Sequence, residues 1–172
     1  MMTKIEVFDY ANEILRGVKG GALLSVSAEG KFNCMTISWG TLGIEWNKPI
    51  FTTFVRQSRY SKEFLDKNGE FTVCIPYNGE PLEILKGCGV KSGRDTDKAK
   101  EYGLQLVKGV SVSSPAIKQL PLTLECKLIY VQKQDEKAMP AEVLDKCYPI
   151  DNGSRDIHTA YVGEIVNAYI LD

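Results

Sequence analysis

Short strand-like runs recur along the whole chain, and no regular strand–helix alternation separates them. Residues 22–28, 33–39, 50–55, 70–75, 104–107, 122–132 and 161–170 are rich in β-branched, aromatic and alternating apolar positions. Turn signals punctuate them: Glu29-Gly30, then Gly40, Gly43, Asn47 and Pro49, then Asn68-Gly69 and Pro76. Neighbouring parallel strands need a crossover of about a dozen residues or more. The pattern therefore predicts a mainly β structure, an antiparallel sheet closed into a barrel with short helices packed outside. Helices are expected over 7–16, stopped by Gly17, over 61–67 with Ser61 as cap, over 81–86, and from about Asp95. Residues 87–94 read as a glycine-rich loop, 110–119 as a connection and 133–146 as a polar excursion.

Composition narrows the function classes. The chain has 172 residues, which predicts a single domain over 1–172. Its formal net charge is −1, so nothing points to nucleic acid or to an anionic membrane surface. No apolar run approaches the roughly 18 residues of a membrane span, and the first residues alternate charged and apolar in place of a signal peptide. Five cysteines without a C-x-x-C pair read as free, mostly buried thiols in a reducing cytoplasm. A lone histidine and no Cys/His cluster exclude a zinc-type site.

The sharpest local signal lies where the 50–55 strand gives way to a helix. Arg56, Ser58, Arg59 and Ser61 set two guanidinium groups and two hydroxyls beside the free N–H groups of a helix start, a combination suited to phosphate. A polar strand end with an ordinary serine cap would look the same. Just before it, Thr36 and Ser38 share one face of a strand, with Met35, Ile37 and Trp39 on the other. That arrangement offers hydroxyls and apolar cover to a flat ring, and it also describes a plain barrel strand. Ser92, Arg94 and Lys98 lie in a loop-to-helix segment able to meet an anion or simply to be solvated. His158 alone titrates near neutral pH, so it can orient a substrate or sit idle at the surface. Cys88, between two glycines, reads as a packing residue.

Longer runs carry a resemblance. MTISWGTLGIEWNKPIFTTFVRQSRYSKEFLDKNGEFTVCIP, CGVKSGRDTDK, LECKLIYVQ and HTAYVGEIVNAYI occur in the order found in the flavin reductase-like, FMN-binding split-barrel family, and resemble its flavoredoxin-type branch. The resemblance implies a six-stranded antiparallel Greek-key split barrel with short flanking helices. It implies a homodimer binding FMN non-covalently at the subunit interface. Met35, Thr36, Ile37, Ser38 and Trp39 would then lie along the isoalloxazine. Arg56, Ser58, Arg59 and Ser61 would surround the phosphate, and Ser92, Arg94 and Lys98 would stand near the cofactor, from one subunit or the other. His158 would sit on the nicotinamide side. The implied activity is hydride transfer from NAD(P)H to flavin. Its rival is flavoredoxin-like electron transfer with a redox-protein partner and no NAD(P)H turnover. A barrel with another ligand, or none, is the third reading.

Overall fold

The computed structural model describes residues 1–77 and 82–172, with every side chain among them except that of Leu82. In chain order the elements are β1 (Met2–Lys4), a 3-10 turn (Val7–Tyr10), α1 (Ala11–Gly20), β2 (Ala22–Ala28), β3 (Lys31–Ile37), β4 (Gly40–Glu45), β5 (Lys48–Arg56) and α2 (Tyr60–Asn68). There follow β6 (Glu70–Ile75), α3 (Leu82–Val90), α4 (Lys98–Glu101), β7 (Leu106–Val107), β8 (Ala116–Ile117), β9 (Leu122–Lys133), a 3-10 turn (Glu136–Ala138), α5 (Ala141–Cys147) and β10 (His158–Leu171). The expected helix start at Pro81 lies outside the described residues.

One antiparallel sheet runs in the order β3-β2-β6-β9-β10-β5-β4, and β1 adds to the end of β10. Leu24, Met35, Phe51, Phe71, Leu124 and Tyr161, from six of these strands, meet in one buried cluster with Ile14 and Val18 of α1 and Leu65 of α2. Side chains from both halves of the sheet reach one core only because the sheet curls around it. The expected closure is not complete: among the described residues no ladder joins β3 to β4. The sheet also holds eight strands where the resemblance implied six. The two additions are β1 and β4.

β4 occupies residues expected to turn. The reversal is instead confined to Trp46 and Asn47, whose φ values of 50° and 58° make a two-residue loop between paired Glu45 and Lys48. Positive φ at both central residues is the signature of a type I′ hairpin. The first helix also departs from expectation. It begins as a 3-10 turn and α1 then passes straight through Gly17. A Cβ there would lie 2.2 Å from Ile75 Cγ2 and 3.1 Å from the Pro76 carbonyl, so Gly17 marks a close helix–sheet approach and not a stop.

Farther along, α3 absorbs Gly87, Cys88 and Gly89, which the sequence presents as a loop. The helical piece expected from Asp95 is confined to α4, and the Asp97 side chain caps it by accepting from Lys100 N. The strand expected over 104–107 shortens to β7, while 110–119 contributes β8. The polar excursion after β9 forms α5. β9 buries both faces in its first half: Thr123 and Glu125 are as inaccessible as Leu122 and Leu124. The carboxylate of Glu125 is fully satisfied there, accepting from Val110 N at 2.7 Å, Ser111 N at 2.7 Å and the Tyr169 hydroxyl at 2.8 Å.

Candidate functional site

After Ile37 the chain leaves β3 and crosses to β4 through Ser38 and Trp39. This crossing lies beside the paired ends of β5 and β10, where Arg56 and His158 are direct antiparallel partners. Met35, Thr36, Ile37, Ser38, Trp39, Phe54, Arg56, Arg59 and His158 line a cavity of about 170 Å³ there. A second cavity of about 160 Å³ is lined by Asn33, Met35, Ser58, Arg59, Tyr60, Ser61, Cys88, Val90, Lys91, Ser92, Gly93, Arg94 and Lys98. Neither reaches the roughly 300 Å³ of a small-ligand site. Both share Met35 and Arg59, so together they form one elongated groove.

The first end is aromatic. The rings of Trp39 and His158 lie 5.1 Å apart, centroid to centroid. The imidazole is buried, and its Nδ1 lies 2.8 Å from the Tyr148 hydroxyl. That hydroxyl also lies 3.1 Å from Gln134 Oε1, so Tyr148 links the imidazole to Gln134. Burial, reinforced by the nearby Arg56 charge, pulls His158 down to about 4, so the ring is neutral at physiological pH. The Arg56 guanidinium is committed: it donates to the Asp156 carbonyl at 3.0 Å and the Cys147 carbonyl at 2.8 Å, and lies 5.1 Å above the Tyr148 ring.

The second end is cationic. Ser58 presents its N–H and hydroxyl to one anion, the Asp156 carboxylate, at 3.1 and 2.5 Å. Arg94 reaches the Ser58 carbonyl at 3.1 Å, pairs with Glu63 at 2.6 Å and covers Tyr60 at 4.9 Å. The Ser92 hydroxyl accepts from Arg94 N at 3.2 Å. Arg59 is exposed, and its one side-chain hydrogen bond among the described residues, to the Gly89 carbonyl, is long at 3.5 Å. Lys98 is only 5% exposed, and its ammonium donates to the Cys34 and Cys88 carbonyls at 2.8 and 2.7 Å. No described carboxylate lies within pairing distance of it, and burial lowers its pKa. A buried cation held only by neutral carbonyls is costly unless a negative group compensates it.

All thirteen candidate site residues named from the sequence line these two cavities. The phosphate-like quartet is divided, however. Arg56 stands at the aromatic end, Ser58 and Ser61 at the cationic end, and Arg59 between them. Ser61 is not the helix cap: Arg59 holds that position without a side-chain bond, and the buried Ser61 hydroxyl accepts from Asn33 Nδ2 at 2.9 Å. Asn33, Phe54, Tyr148 and Asp156 are groove or supporting residues that local sequence does not flag.

A split barrel bearing an elongated groove, aromatic at one end and cationic at the other, has the form of a nucleotide-type cofactor protein. Residues 16–172 match the family model of the flavin reductase like domain, and the chain belongs to that family. It is similar to a flavoredoxin from Methanosarcina acetivorans, with 26% identity, a TM-score of 0.68, and coverage of 88% of this chain and 68% of that one. The FMN-binding domain of a flavin reductases-like enzyme from Shewanella baltica shares the fold, with a TM-score of 0.71, 18% identity, and coverage of 99% and 77%. A protein of Archaeoglobus fulgidus is 28% identical over 145 residues, 81% of this chain and 79% of its own.

Proposed function

We propose that the groove holds FMN and that the protein is a flavin reductase-type oxidoreductase taking hydride from NAD(P)H. The observation that carries this reading is the meeting of the two cavities at Met35 and Arg59, which gives a slot for a ring and a cationic end for a phosphate. The residues fit the group. Arg59 is uncommitted, the buried Lys98 ammonium lacks an anion, and the turn at Ser58 already holds a carboxylate. When bound, the flavin supplies two-electron acceptor chemistry at its ring. The chain's own part is to hold the ring along residues 35–39, keep water from its covered face and present His158 as a neutral imidazole beside the nicotinamide. No side chain is required as general acid or base.

Assembly as a homodimer belongs to the same reading. Trp39, at the ring end of the groove, and Ile44 and Trp46, farther out along the β4–β5 hairpin, are exposed apolar side chains that a second copy would cover. Sedimentation at micromolar concentration should give a dimer; a monomer that retains FMN would exclude this. The five cysteines, free in the fold, suit a cytoplasmic setting.

The similarity to the Methanosarcina flavoredoxin favours a second reading, electron transfer to and from a redox-protein partner. Stopped-flow mixing with NADH and NADPH separates the two. Rapid bleaching of the bound flavin by either nucleotide supports the reductase. Bleaching only by a reduced protein donor supports the carrier. Protein that purifies colourless and takes up no FMN would remove both.

A further inference from the structure

Cys34 of β3 and Cys88 of α3 are 54 residues apart in sequence, yet their sulfurs lie 3.7 Å from one another. The approach is built into both elements. Gly89 packs so closely on Thr36 that a Cβ would come within 3.2 Å of its side chain, and the Thr36 hydroxyl donates to the Leu85 carbonyl. Lys98 bridges the same two residues through their carbonyls. We infer that Cys34, Cys88 and Lys98 form a peroxide-reactive dithiol site that closes to a disulfide.

Three observations carry it. First, the buried ammonium lacks a carboxylate among the described residues, and a thiolate on Cys88 would compensate it. Second, the Cys34 thiol donates to Cys88, which favours the proton on Cys34 and the charge on Cys88; that hydrogen bond and the Lys98 charge make Cys88 the more acidic thiol against the opposing effect of burial. Third, Cys88, itself only 1% exposed, lines the second cavity, whose 160 Å³ holds molecules the size of water, hydrogen peroxide among them. A disulfide needs about 2.05 Å between sulfurs, so closure moves them by under about 2 Å.

The steps balance with hydrogen peroxide as oxidant. The Cys88 thiolate attacks one peroxide oxygen, the O–O bond breaks, and hydroxide leaves to become water with the proton Cys88 had released. The sulfenic acid on Cys88 is then attacked by the Cys34 sulfur. Its S–O bond breaks, and the departing hydroxide takes the Cys34 proton as a second water. Two thiols and one peroxide give one disulfide and two waters. Reduced flavin in air yields hydrogen peroxide, so the flavin reading supplies a source, but the inference rests on the thiols alone.

The test is a peroxide titration of the reduced protein in oxygen-free buffer, quenched with catalase, alkylated under denaturing conditions and mapped by peptide mass. Expected are the loss of two of the five thiols, a cross-linked Cys34–Cys88 peptide reversed by dithiothreitol, and a rate at least tenfold above that of Cys147, the one cysteine that is not buried. Oxidation governed by exposure alone would strike Cys147 first and leave the pair intact, and that result overturns the inference. So does retention of all five thiols. In Cys34→Ser, dimedone should trap a sulfenic acid on Cys88; no adduct would overturn the order of steps. Lys98→Met should slow closure at least tenfold, and a folded variant reacting at the wild-type rate would remove Lys98 from the site. If that variant does not fold, the wild-type ratio of Cys88 to Cys147 oxidation still decides.

Discussion

Arg56 and His158 face each other across the β5–β10 ladder, so a permanent cation and a buried imidazole share one end of the groove. The pairing has a measurable consequence for pH dependence. The folded-state pKa of His158 is depressed to about 4, against an ordinary value near 6.5. Between those values the unfolded chain binds a proton that the folded chain refuses, so stability rises with pH through this window and falls as pH drops from 6.5 toward 4. The full effect is on the order of 3 kcal/mol. Urea denaturation should show His158→Gln losing less stability than wild type between pH 7 and pH 5. Parallel losses would mean that the imidazole is not held neutral.

Flavin selectivity should divide along the groove. Arg56 is bound to two carbonyls at the aromatic end, so Arg56→Ala is expected to weaken FMN and riboflavin alike. Arg59, free between the two ends, is expected to meet the phosphate. A charge-assisted hydrogen bond contributes roughly 1.5–3 kcal/mol, so Arg59→Ala should lower the ratio of FMN to riboflavin affinity about tenfold or more. Flavin fluorescence quenching gives both affinities. A ratio that falls with Arg56→Ala and not with Arg59→Ala would reverse the assignment.

Gly17→Ala sets helix propensity against packing. In an exposed helix, alanine would stabilise by about 1 kcal/mol. Here the added methyl meets Ile75, a fully buried β-branched side chain, and the Pro76 backbone carbonyl. Overpacking of this kind costs about 1–3 kcal/mol, so a net loss of up to about 2 kcal/mol is expected from chemical denaturation. A gain in stability would show that α1 shifts freely on the sheet.

Glu125→Ala should be among the most damaging single changes, because it strips one buried and two partly buried donors of their shared acceptor. The expected loss is about 3–5 kcal/mol, whereas Tyr169→Phe, which removes a single donor, should cost about 1–2 kcal/mol. Thermal melts that rank the two in the opposite order would contradict this account of the 110–117 segment.

The legible parts of the chain were those whose signals are local. Alternation in 22–28, 70–75 and 122–132 located β2, β6 and β9 to within a residue. Glycine was misread wherever its role was at long range. Gly17 looks like a stop until Ile75 is placed against it, and Gly87 and Gly89 look like a loop until Tyr102 and Thr36 are seen filling the space their side chains would need. The groove was legible in runs: 35–39 and 92–98 were singled out and lie together. Its supports were not, because Asp156 meets Ser58 across 98 residues and Cys147 meets Arg56 across 91. Nothing within a few residues of Asp156 announces that contact.

The ladder left open between β3 and β4 also limits how far the sheet can grow. Along β3, one edge carbonyl is occupied by the Lys98 ammonium and α3 lies against the strand, so another chain finds no ready template there. β1, at three residues, is too short to nucleate pairing. Among the described residues, six-residue β4 is the other end of the strand order. Fibre formation requires a joining surface at both ends of each unit, whereas one such surface lets a molecule pair with a twin and then stop. Growth from the β3 edge is thus disfavoured by a lysine that also lines the groove.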